Sequence, residues 1–73
     1  MKVNLADFLF AFNDDTRVEV IDHTNDEIIF SGYADVVIRK IEKSDNEFYI
    51  DLSRPYNYAE IKSGKLMVYP DIG

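Results

Sequence analysis

Apolar residues fall at helical spacing at the start of the chain. Leu5, Phe8, Leu9 and Phe12 stand at i, i+3, i+4 and i+7, which is one face of a helix. Residues 4–12 therefore read as a helix, with Asn4 as N-cap and Asp7 three residues on, close to a capping box. Val3 before the cap and Phe8 inside fit a hydrophobic staple. Asn13 suits the left-handed conformation that ends many helices. So short a helix does not hold alone in water, where about 12–15 residues are needed, so its Leu/Phe face must dock on a sheet.

The pattern then changes period. Residues 16–22 alternate, with Val18 and Val20 on one side and Arg17 and Glu19 on the other, as in a half-buried strand. His23, Thr24, Asn25 and Asp26 form a polar turn, and residues 27–31 read as the return strand of a hairpin. Gly32 marks a bulge or bend and residues 33–41 read as a third extended segment, so residues 27–41 are one long bent strand or two strands joined at Gly32. After a turn at 43–46, residues 47–52 alternate again, with Phe48, Ile50 and Leu52 inward. Pro55 interrupts the pattern. Residues 60–62 and 65–69 flank Ser63-Gly64 as a second tight hairpin, and 71–73 read as a tail. These elements predict a single α+β domain over residues 1–73. A short N-terminal helix precedes about five antiparallel strands, arranged as a small SH3-like or Sm-like barrel or as a strongly curved sheet. Barrel closure would remove sheet edges in a chain too small to bury them otherwise.

Composition sharpens this picture. A chain of 73 residues buries only about 60% of its unfolded surface, so its five Phe and five Tyr matter as core area. There is no Cys, which excludes disulfides, thiolate catalysis and Cys-type zinc sites. Small secreted domains usually need such staples, and the first residues lack the apolar run of a signal peptide. A cytoplasmic protein is the expectation, with no membrane association. The net charge of −6 is uneven. Residues 1–36 hold eight acids and two bases, whereas residues 37–73 hold six of each. An acidic chain is repelled by phosphate backbones, which disfavours nucleic acid, whereas an acidic face suits a basic protein surface. The charge also serves solubility alone.

Candidate catalytic groups find no company in the sequence. His23 neighbours Asp22, Asp26 and Glu27, but in an exposed turn a polar residue needs no metal. Asp14 and Asp15 read as turn formers rather than as an acid/base pair. Ser31, Ser44, Ser53 and Ser63 lack a convincing base, and the glycines are scattered at 32, 64 and 73 rather than grouped around a phosphate. No catalysis, metal or cofactor is expected.

Two features point instead to recognition. Phe10 lies about 140° round the helix from Leu5 at 100° per residue, so a helix that faces the sheet with Leu5, Phe8, Leu9 and Phe12 leaves Phe10 outside. There it can anchor a partner or a second copy of the chain, or else tuck against the tail near Ile72. A homodimer through this outer face would set Phe10 beside Val3, against the opposition of Asp7 and Asp14 on the same face. The second feature is Ser53-Arg54-Pro55-Tyr56-Asn57-Tyr58. Arg54, Tyr56 and Tyr58 are of the residue types that dominate interface hot spots, and Pro55 stiffens the loop. With Arg39, Lys40 and Lys43 the same loop could serve a nucleic-acid-binding small barrel; alternatively both tyrosines cap the end of the fold.

The helix of residues 4–12, the run Thr16-Arg17-Val18-Glu19-Val20-Ile21-Asp22 and the run Glu27-Ile28-Ile29-Phe30-Ser31-Gly32-Tyr33-Ala34-Asp35 together resemble short phage and prophage proteins of Gram-positive bacteria. The resemblance covers about half the chain and brings no catalytic residues. It implies a phage-encoded accessory or inhibitor that binds a host protein in the host cytoplasm, as anti-CRISPR proteins do. A non-enzymatic protein-binding module is therefore the leading expectation. A nucleic-acid-binding barrel and an assembly subunit of an oligomer are the alternatives.

Overall fold

A computed structural model of the chain describes residues 1–53 and 58–73. The described elements run β1 (Lys2–Asn4), α1 (Leu5–Leu9), β2 (Arg17–Asp22), β3 (Glu27–Tyr33), α2 (Ala34–Lys43), β4 (Phe48–Asp51), β5 (Ala59–Lys62), β6 (Lys65–Val68) and β7 (Asp71–Ile72). They form an α+β fold with two sheets, one in the order β1-β4-β7 and one in the order β3-β2-β6-β5.

The first helix starts where the side chain of Asn4 accepts hydrogen bonds from the backbone N–H groups of Ala6 (2.9 Å) and Asp7 (3.4 Å). This satisfies two of the donors that a helix start leaves bare. The helix does not end in a left-handed Asn13. Its N–H groups at Ala11 and Phe12 turn to Phe8 and Leu9 in three-residue steps, and the non-glycine residues with positive φ among those described are Asp26 and Ser63. Val3 lies in β1, opposite Ile50 of β4.

Both predicted hairpins form. In the β2–β3 turn, Asp22 Oδ1 accepts from the Thr24 N–H (2.9 Å) and hydroxyl (2.7 Å), and Asp26 takes φ 60°. Asp and Asn tolerate this geometry because their side chains bond the local backbone. The Ser63-Gly64 turn has positive φ at both residues (55° and 75°), the geometry that matches the twist of a two-residue hairpin.

The third extended segment does not form. Residues 34–43 are α2, and the reason is visible in the same residues. Ala34, Val37, Ile38 and Ile41 stand at i, i+3, i+4 and i+7, and all four are buried. Asp35 lies in the first turn and Lys40 and Lys43 in the last, which suits the helix dipole, and Arg39 pairs with Asp35 at 3.2 Å. The strand-to-helix junction has no loop. Gly32 takes φ 143°, Tyr33 follows, and the Ala34 N–H donates to the Thr16 carbonyl at 2.9 Å.

With that segment helical, the described strands form no closed barrel and number seven rather than five. Nor is every pairing antiparallel: β2 and β6 run parallel, with Val18 opposite Leu66 and Val20 opposite Val68. The tail also departs from expectation, since Asp71 and Ile72 pair with β4 as β7. Leu52 falls just past β4 and is exposed rather than inward. The core fills the space between the helices and the sheets. Leu5 and Leu9 of α1, Val37 of α2, Val18 and Val20 of β2, Ile50 of β4 and Val68 of β6 are all essentially inaccessible. Phe30 and Phe48 meet edge-on across this core with ring centres 5.6 Å apart.

Candidate functional site

Phe10 is the last aromatic before the α1 turn unwinds, and its ring stays outside: 64% of the residue is exposed. Leu5, Ala6 and Leu9 are the buried residues of this short helix, and Phe8 packs against the same core. Phe10 stands on the lip of a groove of about 360 Å³ between α1, the C-terminal end of α2 and the start of β4. Ala6, Ile41 and Phe48 supply its apolar floor, and all three belong to the core. Its rim carries Asp7, Glu42 and Glu47 beside Asn4 and Asn46, and among the described residues no lysine or arginine lines it. The chain reaches this arrangement by distant routes. Asp7 comes from α1, Glu42 from the outer face of α2, and Glu47 from the turn into β4.

The other expected contact residues divide. Tyr58 is partly buried, with its ring edge-on to Phe8 at 6.3 Å, and its carbonyl accepts from the Tyr69 N–H at 2.8 Å. It closes the aromatic side of the core with Phe8 and Phe12 and does not line the Phe10 groove. Arg54 and Tyr56 lie outside the described residues, as do Pro55 and Asn57. Arg39, Lys40 and Lys43 gather with Val36 on α2, and none of them lines the Phe10 groove.

Candidate chemical groups occupy structural positions. His23 Nε2 and Asp71 Oδ1 are 3.0 Å apart, so the β2–β3 turn is tied to the last strand, 48 residues along the chain. Asp14 and Asp15 are exposed in the turn before β2. The Asp22 and Asp51 carboxylates are held below the usual range chiefly by hydrogen bonds from the side chain and N–H of Thr24 and Ser53, two residues on in each case. Tyr69 is shifted the other way. Its hydroxyl donates to Glu60 Oε1 at 2.9 Å, and that bond, with some burial, raises its pKa. Among the described residues no three His, Asp or Glu side chains are grouped to hold a metal ion, and no helix is long and apolar enough to cross a membrane.

The groove could not be assembled from the sequence, because its floor depends on α2 being a helix. Phe10 itself was legible through its angle on α1. Comparison of the chain with protein-family models, with curated proteins and with solved structures finds no significant match.

Proposed function

We propose that this chain is a non-catalytic protein-binding module that docks through the Phe10 groove onto a basic surface of another protein. The observation that carries the reading is an aromatic ring left 64% exposed beside three carboxylates and, among the described residues, no base. An arginine or lysine entering the groove would meet the Phe10 ring face and the rim carboxylates together. The ring attracts the cation through its quadrupole, the carboxylates through charge-assisted hydrogen bonds. The apolar floor would take the stem of the same side chain. Pairing two copies of the chain on this face would bring Asp7, Glu42 and Glu47 of each against their own kind, so the groove is assigned to a foreign partner rather than to a helix-face homodimer.

The resemblance of the first half to phage proteins is the support for a narrower form of this reading. In that form the chain is a phage-encoded accessory or inhibitor of a host protein and acts in the host cytoplasm. The second reading, nucleic-acid binding, is favoured by one feature, the cluster of Arg39, Lys40 and Lys43 on α2. The rest of the charge opposes it.

Affinity capture from bacterial lysate with the wild type and with Phe10→Asp, followed by titration of the captured protein at rising salt, tests the proposal. The expected result is a basic partner that the wild type retains and Phe10→Asp loses. Its affinity should fall with salt and with Glu47→Lys. A partner held equally by Phe10→Asp overturns the groove, and recovery of nucleic acid through Lys40 and Lys43 transfers the function to α2.

A further inference from the structure

The larger sheet has two outer strands, β3 and β5, and among the described residues nothing pairs with the far side of β5. Open edges of this kind invite pairing with another strand, and proteins usually blunt them with charge, proline or a bulge. Here the charges have a particular arrangement. Glu60 and Lys62, of opposite sign, flank Ile61, which is 77% exposed. Ile61 pairs across the hairpin with Leu66, which in turn pairs with Val18 of β2, and both of those are buried. The apolar row of the core face thus runs off the end of the sheet at Ile61.

We propose that β5 pairs antiparallel with β5 of a second copy of this chain, about a twofold axis through Ile61. This goes beyond the groove reading and rests on a different surface. In this register Glu60 of each copy stands directly opposite Lys62 of the other, so both charges on the edge find partners of opposite sign. The two Ile61 side chains cover each other on the core face. Centring the axis one residue either way sets Glu60 against Glu60 or Lys62 against Lys62.

The backbone selects the same register. The Tyr58 carbonyl accepts from the Tyr69 N–H at 2.8 Å, and Lys62 pairs with Lys65 to close the two-residue turn. Groups alternate along a strand, so Tyr58, Glu60 and Lys62 turn theirs towards β6, and Ala59 and Ile61 turn theirs to the open edge. With Ile61 on the axis, the Ile61 N–H of each copy donates to the Ile61 carbonyl of the other. This is the closely spaced pair of an antiparallel ladder. On the opposite face, the Tyr69 hydroxyl at 2.9 Å holds Glu60 in place, and a carboxylate has acceptor sites to spare for a lysine.

An edge of four residues makes a small interface, so the dimer should be concentration-dependent. Light scattering or sedimentation over a concentration series should show the mass of the wild type rising from 8.5 kDa towards twice that value. Lys62→Glu turns two symmetry-related attractions into repulsions and should weaken the dimer about tenfold. The double change Glu60→Lys with Lys62→Glu restores opposite signs and should restore the dimer, whereas Phe10→Asp should leave it intact. In the wild type, amide exchange at Ile61 should slow as concentration rises. A wild type that stays monomeric throughout overturns the proposal. So does a dimer that Lys62→Glu leaves unchanged, that Phe10→Asp abolishes, or that forms without slowing exchange at Ile61.

Discussion

The Phe10 groove and the β5 edge each expose one large apolar residue, yet they are built on opposite terms. The groove is cut into the core: Ile41 and Phe48 form its floor and are themselves buried. The edge hangs off the core, with Ile61 one step beyond the last buried row. Their charges differ as well. The charges described on the groove rim are all acidic, which suits a cationic visitor, whereas the edge carries one charge of each sign two residues apart, which suits its own copy turned end for end. What surrounds an exposed apolar residue therefore says more about its partner than the apolar residue does. Coupling to the core decides whether the surface can be altered without unfolding the chain.

The sharpest way to break the comparison is at the groove floor. Phe48→Ala removes a buried ring that meets Phe30 edge-on, and is expected to cost about 3–5 kcal/mol. For a chain of this length that approaches the whole stability, so chemical denaturation should show a large drop in midpoint or no folded baseline. If Phe48→Ala melts like the wild type, the groove is not anchored in the core.

Next comes the cap beside the groove. Asn4 lines the groove as well as starting α1, and Asn4→Ala is expected to destabilise the domain by about 0.5–2 kcal/mol, measured as a shift in urea midpoint at constant slope. At the edge the expectation is reversed. Ile61→Thr keeps a β-branched residue on an exposed strand and should change monomer stability by less than about 0.5 kcal/mol, even as it weakens self-association. A larger loss in dilute solution would show that Ile61 is a core residue.

The smallest effect sharpens the edge through pH. Glu60 raises the pKa of Tyr69 above its ordinary value of 10.0, first by accepting its hydrogen bond. A neutral form favoured in the folded state contributes stability that is present below the unfolded pKa and lost as pH rises through the folded one. Spectroscopic titration should therefore show one tyrosine ionising at higher pH than a free phenol, and Glu60→Gln should bring it down. The wild type should also lose stability above about pH 10 more steeply than Tyr69→Phe. Identical alkaline titrations would mean that the Glu60–Tyr69 bond does not persist in solution.

Much of the local structure was legible in the residues themselves. The stripe of Leu5, Phe8 and Leu9 with the Asn4 cap specifies α1, which ends at Leu9 rather than at the expected Phe12, and alternation with turn chemistry specifies both hairpins, because a hairpin joins neighbours along the chain. The outward angle of Phe10 follows from the same stripe. Residues 34–41 carried two signals at once. Their Val and Ile content suited a strand, while Ala34, Val37, Ile38 and Ile41 also formed a helical face. The helix won because that face has both sheets' core side chains to bury against, a choice made by packing rather than by propensity. The pairings of β1 and β7 with β4, and the parallel register of β2 with β6, join segments far apart in the chain. No local pattern encodes them, since many registers satisfy the same alternation and only burial of the shared core selects one. The Phe10 groove and the open β5 edge are products of that selection, and they exist only once the distant strands and α2 have found their places.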